Sequence, residues 1–325
     1  MESNQKVILK QVPLFFKVST IQQQVVFVAL LLFCATPIVS PPIALLLGLI
    51  VANLSGHPFL HLNHKATNIM LQVSVVGLGF GMNVNNALSA GKEGFIFTIA
   101  SILSTLILGT FLGKWLKIEN KTAHLISCGT AICGGSAIAA IAPVIKSDEK
   151  QTSIALGVIF ILNSVALFLF PAVGHWLDLS EKDFGLWCAI AIHDTSSVVG
   201  AAGKFGPEAL QIATTVKLAR ALWIIPVALL TAFVFKNKSS RIKPPYFIGL
   251  FVLAMTMNTY VPQTALMASY LVSIAKIGLT LTLFLIGAGL NRNILKSVGV
   301  KPLFQGILLW IFIAVGTLLT IIYFN

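Results

Sequence analysis

Long apolar runs separated by short polar connections make up almost the whole chain. Runs of the length that crosses a bilayer, about 17–25 residues, occur near 21–39, 66–82, 94–112, 123–143, 151–172, 184–203, 210–235, 264–290 and 302–323. Two shorter runs, 41–56 and 244–260, read as further spans. The pattern predicts an all-α membrane protein with about eleven transmembrane helices. A short cytoplasmic segment at 1–20 precedes a single transmembrane domain over 21–323. Lys6, Lys10 and Lys17 before the first run resemble the start of a signal peptide. No small-x-small cleavage motif follows, however, and Pro37, Pro41 and Pro42 turn the chain into the next run. The first run therefore reads as a retained helix.

Composition agrees. Hydrophobic residues are 57% of the chain and charged residues 10%, with a mean hydropathy of +0.92. A soluble domain carries about 25% charged residues, so no sizeable soluble domain fits. The formal charge of +12 would suit nucleic acid if it formed a patch, but it follows the connections. With the N-terminus in the cytoplasm, the inner connections hold Lys6, Lys10, Lys17, Lys65, Lys114, Lys117, Lys121, Lys182, Lys236, Lys238, Arg241, Lys243, Arg292, Lys296 and Lys301. The outer ones hold Lys92, Lys146, Lys150 and Lys204. That asymmetry is the positive-inside pattern. It sets the C-terminus in the periplasm and makes the charge a topology signal and a contact with anionic lipid.

A short motif recurs. Gly79-Phe80-Gly81-Met82-Asn83-Val84-Asn85 reappears as Gly287-Ala288-Gly289-Leu290-Asn291-Arg292-Asn293, and Gly91 matches Gly299 at the same offset. The copies lie at the ends of oppositely directed helices. They read as an inverted repeat of the kind that builds many secondary transporters, with Asn83 and Asn291 as candidate site residues. Small-residue packing and Asn capping would give the same letters by chance.

Three segments carry the polar chemistry. In Cys128-Gly129-Thr130-Ala131-Ile132-Cys133-Gly134-Gly135-Ser136 the glycines predict an interrupted helix, because each costs about 1 kcal/mol relative to Ala in a helix interior. The exposed N–H groups of a half-helix suit an anion, and Thr130 and Ser136 add hydroxyls; tight helix packing is the alternative reading. In His193-Asp194-Thr195-Ser196-Ser197 a polar run sits inside an apolar span, so it faces the protein interior or a cavity. Thr195, Ser196 and Ser197 suit oxyanion coordination, while His193 and Asp194 are candidates for coupling transport to protons or cations. Third, Lys217 and Arg220 lie three residues apart on one helical face within an apolar run. Each costs roughly 2.5–3.5 kcal/mol at mid-bilayer, so each needs a compensating partner. Asp194 and a bound anion are the candidates, unless the longer side chains snorkel to an interface. Lys276, alone at the centre of its run, is a further candidate for substrate contact.

Enzyme chemistry finds no support, since there is no P-loop and no nucleophile–base set. The four cysteines lack metal spacing and read as small apolar residues. His57, His61 and His64 have a spacing that could bind a metal, but Pro58 interrupts it and no carboxylate is near. No metal site or cofactor is expected, and self-association is left open.

With these motifs in view, the chain resembles the YeiH-type family of bacterial membrane proteins, which carries a sulfate-exporter label. The resemblance rests on Gly129 to Ala140, on His193 to Gly200, and on the Lys217-x-x-Arg220 helix, and it runs over roughly 30–320. It implies a bacterial inner-membrane location and a distant relation to antiporter-like folds with crossed, broken helices. It also implies a small anionic substrate. The expected function is secondary transport of a sulfate-like oxyanion, with proton-coupled export as one form of it; the alternative is a cation/proton antiporter built on Asp194.

Overall fold

The computed structural model describes residues 19–36, 38–235, 246–290 and 298–324. Among these it is entirely helical: α1 Thr20–Cys34, α2 Pro41–Leu54, α3 Leu60–Gly79, α4 Val84–Trp115, α5 Asn120–Ala131, α6 Gly135–Ile141, α7 Glu149–Trp176, α8 Glu181–Ala191, α9 Thr195–Phe205, α10 Pro207–Ala221, α11 Ile224–Val234, α12 Tyr246–Tyr260, α13 Pro262–Gly289 and α14 Val300–Phe324. The helix starts are written locally. Ser19 with Gln22 and Asp148 with Gln151 form capping boxes for α1 and α7. Proline opens α2, α10 and α13, where its missing N–H has no intrahelical partner to lose.

Among the described residues, five stretches are long and apolar enough to cross a membrane: Thr98–Trp115, Lys150–Trp176, Pro207–Val234, Met267–Gly289 and Val300–Tyr323. Large apolar side chains such as Ile107, Phe111 and Phe233 point outward, as lipid allows and water would penalise.

The two interrupted segments depart from the expected path. Both expected interruptions are present, at Ile132–Gly134 and Ile192–Asp194, yet neither segment continues beyond its break in the same direction. In the second, the carboxylate of Glu181, at the start of α8, accepts from the backbone N–H of Glu208 at 2.8 Å and of Ala209 at 3.2 Å, just beyond the end of α9. Phe184 of α8 stacks on Phe205 of α9 with ring centroids 3.8 Å apart. Had α9 run on from α8, those ends would lie about 30 Å apart. In the first, Lys121 Nζ at the start of α5 donates to the carbonyl of Lys146, after α6, at 2.8 Å. Each segment is thus a helical hairpin that returns to the end of the molecule it came from. The expectation of single interrupted spans at 123–143 and 184–203, and of crossed helices, is corrected accordingly. The limbs of 12, 7, 11 and 11 residues are each too short for the ~30 Å hydrocarbon core.

The hairpins enter from opposite ends. α7 runs beside α5, with Gln151 donating to Glu119 near their starts, and finishes where α8 begins. The second hairpin therefore starts from the far end of α7. α10 then runs beside α8, so each hairpin is followed by a helix parallel to its first limb. Hairpin–α7 and hairpin–α10 are two copies of one unit, inverted. α14 braces both. Gln305 Nε2 donates to Gly109 O (3.0 Å) on α4 and Ala123 O (3.1 Å) on α5, and Trp187 Nε1 on α8 donates to Ala314 O (2.9 Å).

A second bundle joins α1, α2, α3, α12 and α13. Residues Phe27, Ala44, Val51, Phe284 and Ala288 form a core of its own. Here α2 and α13 touch backbone to backbone, since a Cβ on Gly48 or Gly287 would run into the facing main chain. α3 and α13, the helices that carry the Gly79 and Gly287 motifs, lie antiparallel. Asn63 Nδ2 donates to Leu285 O at 3.0 Å near one end, and Gly77 faces Ala275 toward the other. An inverted repeat requires that orientation. Asn291 and the rest of the second copy through Asn293 lie outside the described residues, as do the cytoplasmic segment through residue 18 and the basic connections 236–245 and 291–297.

Candidate functional site

The hairpin tips meet in the middle of the molecule. Gly134 sits at φ +64°, a left-handed conformation suited to glycine. A Cβ there would also stand 3.3 Å from both Cα and N of Asp194 in the other tip. Glycine is required on both counts.

Buried helix ends create the electrostatic problem at this point. A helix C-terminus leaves carbonyl oxygens without partners and carries about −0.5 of a charge; away from water that end needs a donor. Lys217 and Arg220 supply it. Both side chains are fully buried, at 0% exposure. Arg220 donates from Nε (2.8 Å) and one terminal nitrogen (2.5 Å) to Ala131 O at the end of α5. Its other terminal nitrogen donates to Ile190 O at the end of α8, at 3.0 Å. Lys217 Nζ donates to Ile192 O in the second tip at 2.6 Å. The planar guanidinium fork, with donors in two directions, ties one hairpin to the other.

Asp194 is the N-cap of α9. Its carboxylate accepts from the backbone N–H of Ser196 at 3.1 Å and from the Ser196 hydroxyl. The hydrogen-bond partners of both cations are therefore main-chain carbonyls, while the acid serves a helix N-terminus. Asn163, midway along α7, accepts from the Asp194 N–H through Oδ1 at 3.1 Å. Sequence reading passed over Asn163; the signal was a lone amide in the centre of an apolar run.

A cavity of about 490 Å³ reaches Asp194 from the first hairpin's end of the molecule. α3 contributes Asn63, Thr67, Asn68 and Gln72; α6 contributes Gly135 and Ser136; α7 contributes Ser153 and Phe160; and Tyr246 opens α12. The wall mixes these polar groups with apolar side chains such as Leu71, Leu156 and Ile286, and among the described residues Asp194 is its one charged member. Lys217 and Arg220 do not line it.

Most sequence-selected residues fall in this region. Gly129 lies inside α5, where a Cβ would press on Ile138 and Ile159, so it sets the spacing of the hairpin limbs. Thr130 and His193 are buried, and the Thr130 hydroxyl and both His193 ring nitrogens have no hydrogen-bond partner. Thr195, Ser196 and Ser197 form the buried first turn of α9. Lys276 and Asn83 lie elsewhere. Lys276 is on the exposed face of α13, and Asn83 caps α4 by accepting from Asn85 N at 2.8 Å. His57 packs against Phe27 with ring centroids 4.7 Å apart and the rings tilted by 39°. Among the described residues no group of three or more His, Cys, Asp or Glu side chains is placed to hold a metal, and the four cysteines are free and buried.

Fold and site together define an all-α membrane protein organised around two opposed helical hairpins. The chain belongs to the UPF0324 membrane protein family: the family model described as "Conserved hypothetical protein 698" matches residues 20–306. A UPF0324 membrane protein of Bacteroides thetaiotaomicron is 56% identical over 285 residues, which is 86% of each chain. One from Porphyromonas gingivalis is 51% identical over 283 residues, again 86% of each. Another, from Shewanella oneidensis, is 48% identical over 302 residues, covering 93% of this chain and 96% of the relative. No solved structure matches.

Proposed function

We propose that the protein is a secondary transporter of a small oxyanion of the sulfate type across the bacterial inner membrane. One observation carries the reading: a net positive charge is buried at the hairpin tips, at the inner end of a cavity of substrate size. The four helix ends at the tips are two N-terminal and two C-terminal, so their partial charges offset one another. What remains is Lys217 and Arg220 against Asp194, a formal surplus of one positive charge away from water. A bound anion restores neutrality, whereas a bound cation would add to the surplus. The two-fold inverted design and the separate second bundle suit alternating access around a fixed central site.

The membrane orientation follows from the same folding. Because each hairpin returns to its own side, Lys146 and Lys150 join the inner connections and Lys182 moves to the outer side, with Lys92 and Lys204. The basic asymmetry becomes stronger than in the unbroken reading. It supports a cytoplasmic N-terminus, a periplasmic C-terminus and a cavity that faces the cytoplasm.

Flux of radiolabelled sulfate in proteoliposomes tests the reading, comparing the wild type with Lys217→Gln, which removes the surplus charge and keeps an N–H donor. Flux that is lost in the variant supports it. A second reading, cation/proton antiport, is favoured by Asp194 being the acid in the cavity wall. Under that reading sulfate does not move, while Na⁺- or K⁺-driven proton movement occurs and disappears in Asp194→Asn.

A further inference from the structure

Buried polar groups without partners are costly, about 1–3 kcal/mol each, and a concentration of them marks a place where something else binds. Ten buried side-chain N or O atoms lack a partner among the described residues. Four of them belong to three residues at the hairpin tips: Thr130 Oγ1, Asn163 Nδ2 and both ring nitrogens of His193. Thr130 precedes Ala131, whose carbonyl holds Arg220, and His193 lies within the second tip.

Asn163 is the most informative of the three. The two ends of an amide side chain are alike in shape, but here the chemistry separates them. The Asp194 N–H is a donor, so the atom facing it at 3.1 Å must be the amide oxygen. The NH₂ group is then the orphan, with two protons and nothing to accept them. Asn163 is 1% exposed and stands one helical turn beyond Phe160, a residue of the cavity wall. Lys217 adds to this donor excess, since its ammonium has three protons and Ile192 O takes one.

We infer that Asn163 is a substrate-binding residue, whose amide NH₂ donates to an oxygen of an anion held where the cavity reaches the hairpin tips. The inference rests on the anion-transport reading and sharpens it. A site bordered by unpartnered N–H donors selects a ligand that only accepts, as a fully ionised oxyanion does, over a metal cation or a hydrogen-bond donor. Because Asn163 also holds the second tip through Oδ1, binding and hairpin position are coupled through one side chain.

Asn163→Asp separates the two roles: its carboxylate still accepts from the Asp194 N–H but cannot donate. The measurements are sulfate flux in proteoliposomes across a range of pH, and the melting temperature in detergent with sulfate, phosphate or methanesulfonate added. For Asn163→Asp we expect a KM at neutral pH raised about tenfold or more, and partial recovery of KM at low pH, where a protonated carboxyl is neutral and regains a donor. A KM within about twofold of wild type at every pH, with the fold intact, overturns the inference and leaves the transport reading standing. A wild type that neither moves nor is stabilised by any of the three anions overturns both. If the Asp variant does not fold, Asn163→Ser, neutral and too short to reach the anion, replaces it with the same expected rise in KM.

Discussion

The guanidinium of Arg220 and the carbonyl of Ala131, 89 residues apart in sequence, are joined by two hydrogen bonds of 2.8 and 2.5 Å. Through its third bond, to Ile190 at 3.0 Å, the same side chain closes the C-terminal ends of two helices that approach from opposite sides. The cations that stand out in the sequence thus find their hydrogen-bond partners in the backbone, while one formal positive charge stays without a counter-ion.

Arg220→Gln should therefore act on stability as well as on transport. Removing the fork leaves Ala131 O and Ile190 O without donors in a dry interior, at roughly 1–3 kcal/mol for each. Thermal melting in detergent should show a drop of several degrees. Arg220→Lys should restore only part of it, because a single ammonium does not reproduce a planar fork with donors in two directions.

Gly134 and Gly135, adjacent and alike in sequence, should differ in tolerance. Gly134→Ala forces a side chain into a left-handed conformation, at about 1–2 kcal/mol, and against the main chain of Asp194. At Gly135 an added Cβ meets only side chains, the edge of the Phe160 ring at 3.4 Å and Leu156 Cδ2 at 3.6 Å, which are ordinary contacts. Melting temperature should fall clearly for the first and change little for the second.

Flux should not need sodium. Lys217 occupies Ile192 O, and Arg220 occupies Ala131 O and Ile190 O, which are the kind of converging carbonyls that bind Na⁺ at broken helices in other transporters. Sulfate flux should be equal in sodium and choline buffers. Lys217→Ala vacates one of these oxygens, and any flux it retains should rise with sodium. A wild type that requires sodium contradicts this arrangement.

The interruptions themselves were legible, because Gly134-Gly135 and the run from His193 to Ser197 are too polar or too flexible for the middle of an apolar helix. The path after them was not. About twenty apolar residues fit one full span, and they fit equally two half-depth limbs of about 16 Å. Contacts between limb ends, such as Glu181 with Glu208, Phe184 with Phe205 and Lys121 with Lys146, decide between these. Asp194 was expected as the partner of Lys217 and Arg220 because sequence shows side-chain charges and hides the partial charges of helix ends. Asn163 was missed since a single amide in an apolar run looks unremarkable until its neighbour across the tip is known.

The doubling back has a topological consequence that labelling can read. In a cysteine-free background, single cysteines at Lys117 and Ser147 should react with a membrane-impermeant maleimide from the same side, and a cysteine at Asp178 from the other. An unbroken helix over 123–143 would place Lys117 and Ser147 on opposite sides.

The most direct test of the central claim is the initial rate of radiolabelled sulfate uptake into proteoliposomes holding wild type or Lys217→Gln, each shown beforehand to be folded by its melting temperature. The account predicts uptake by the wild type that is competed by unlabelled oxyanion and reduced at least tenfold in the variant. Uptake that is equal in the two, or a wild type that carries no anion while exchanging Na⁺ or K⁺ for protons through Asp194, would contradict it.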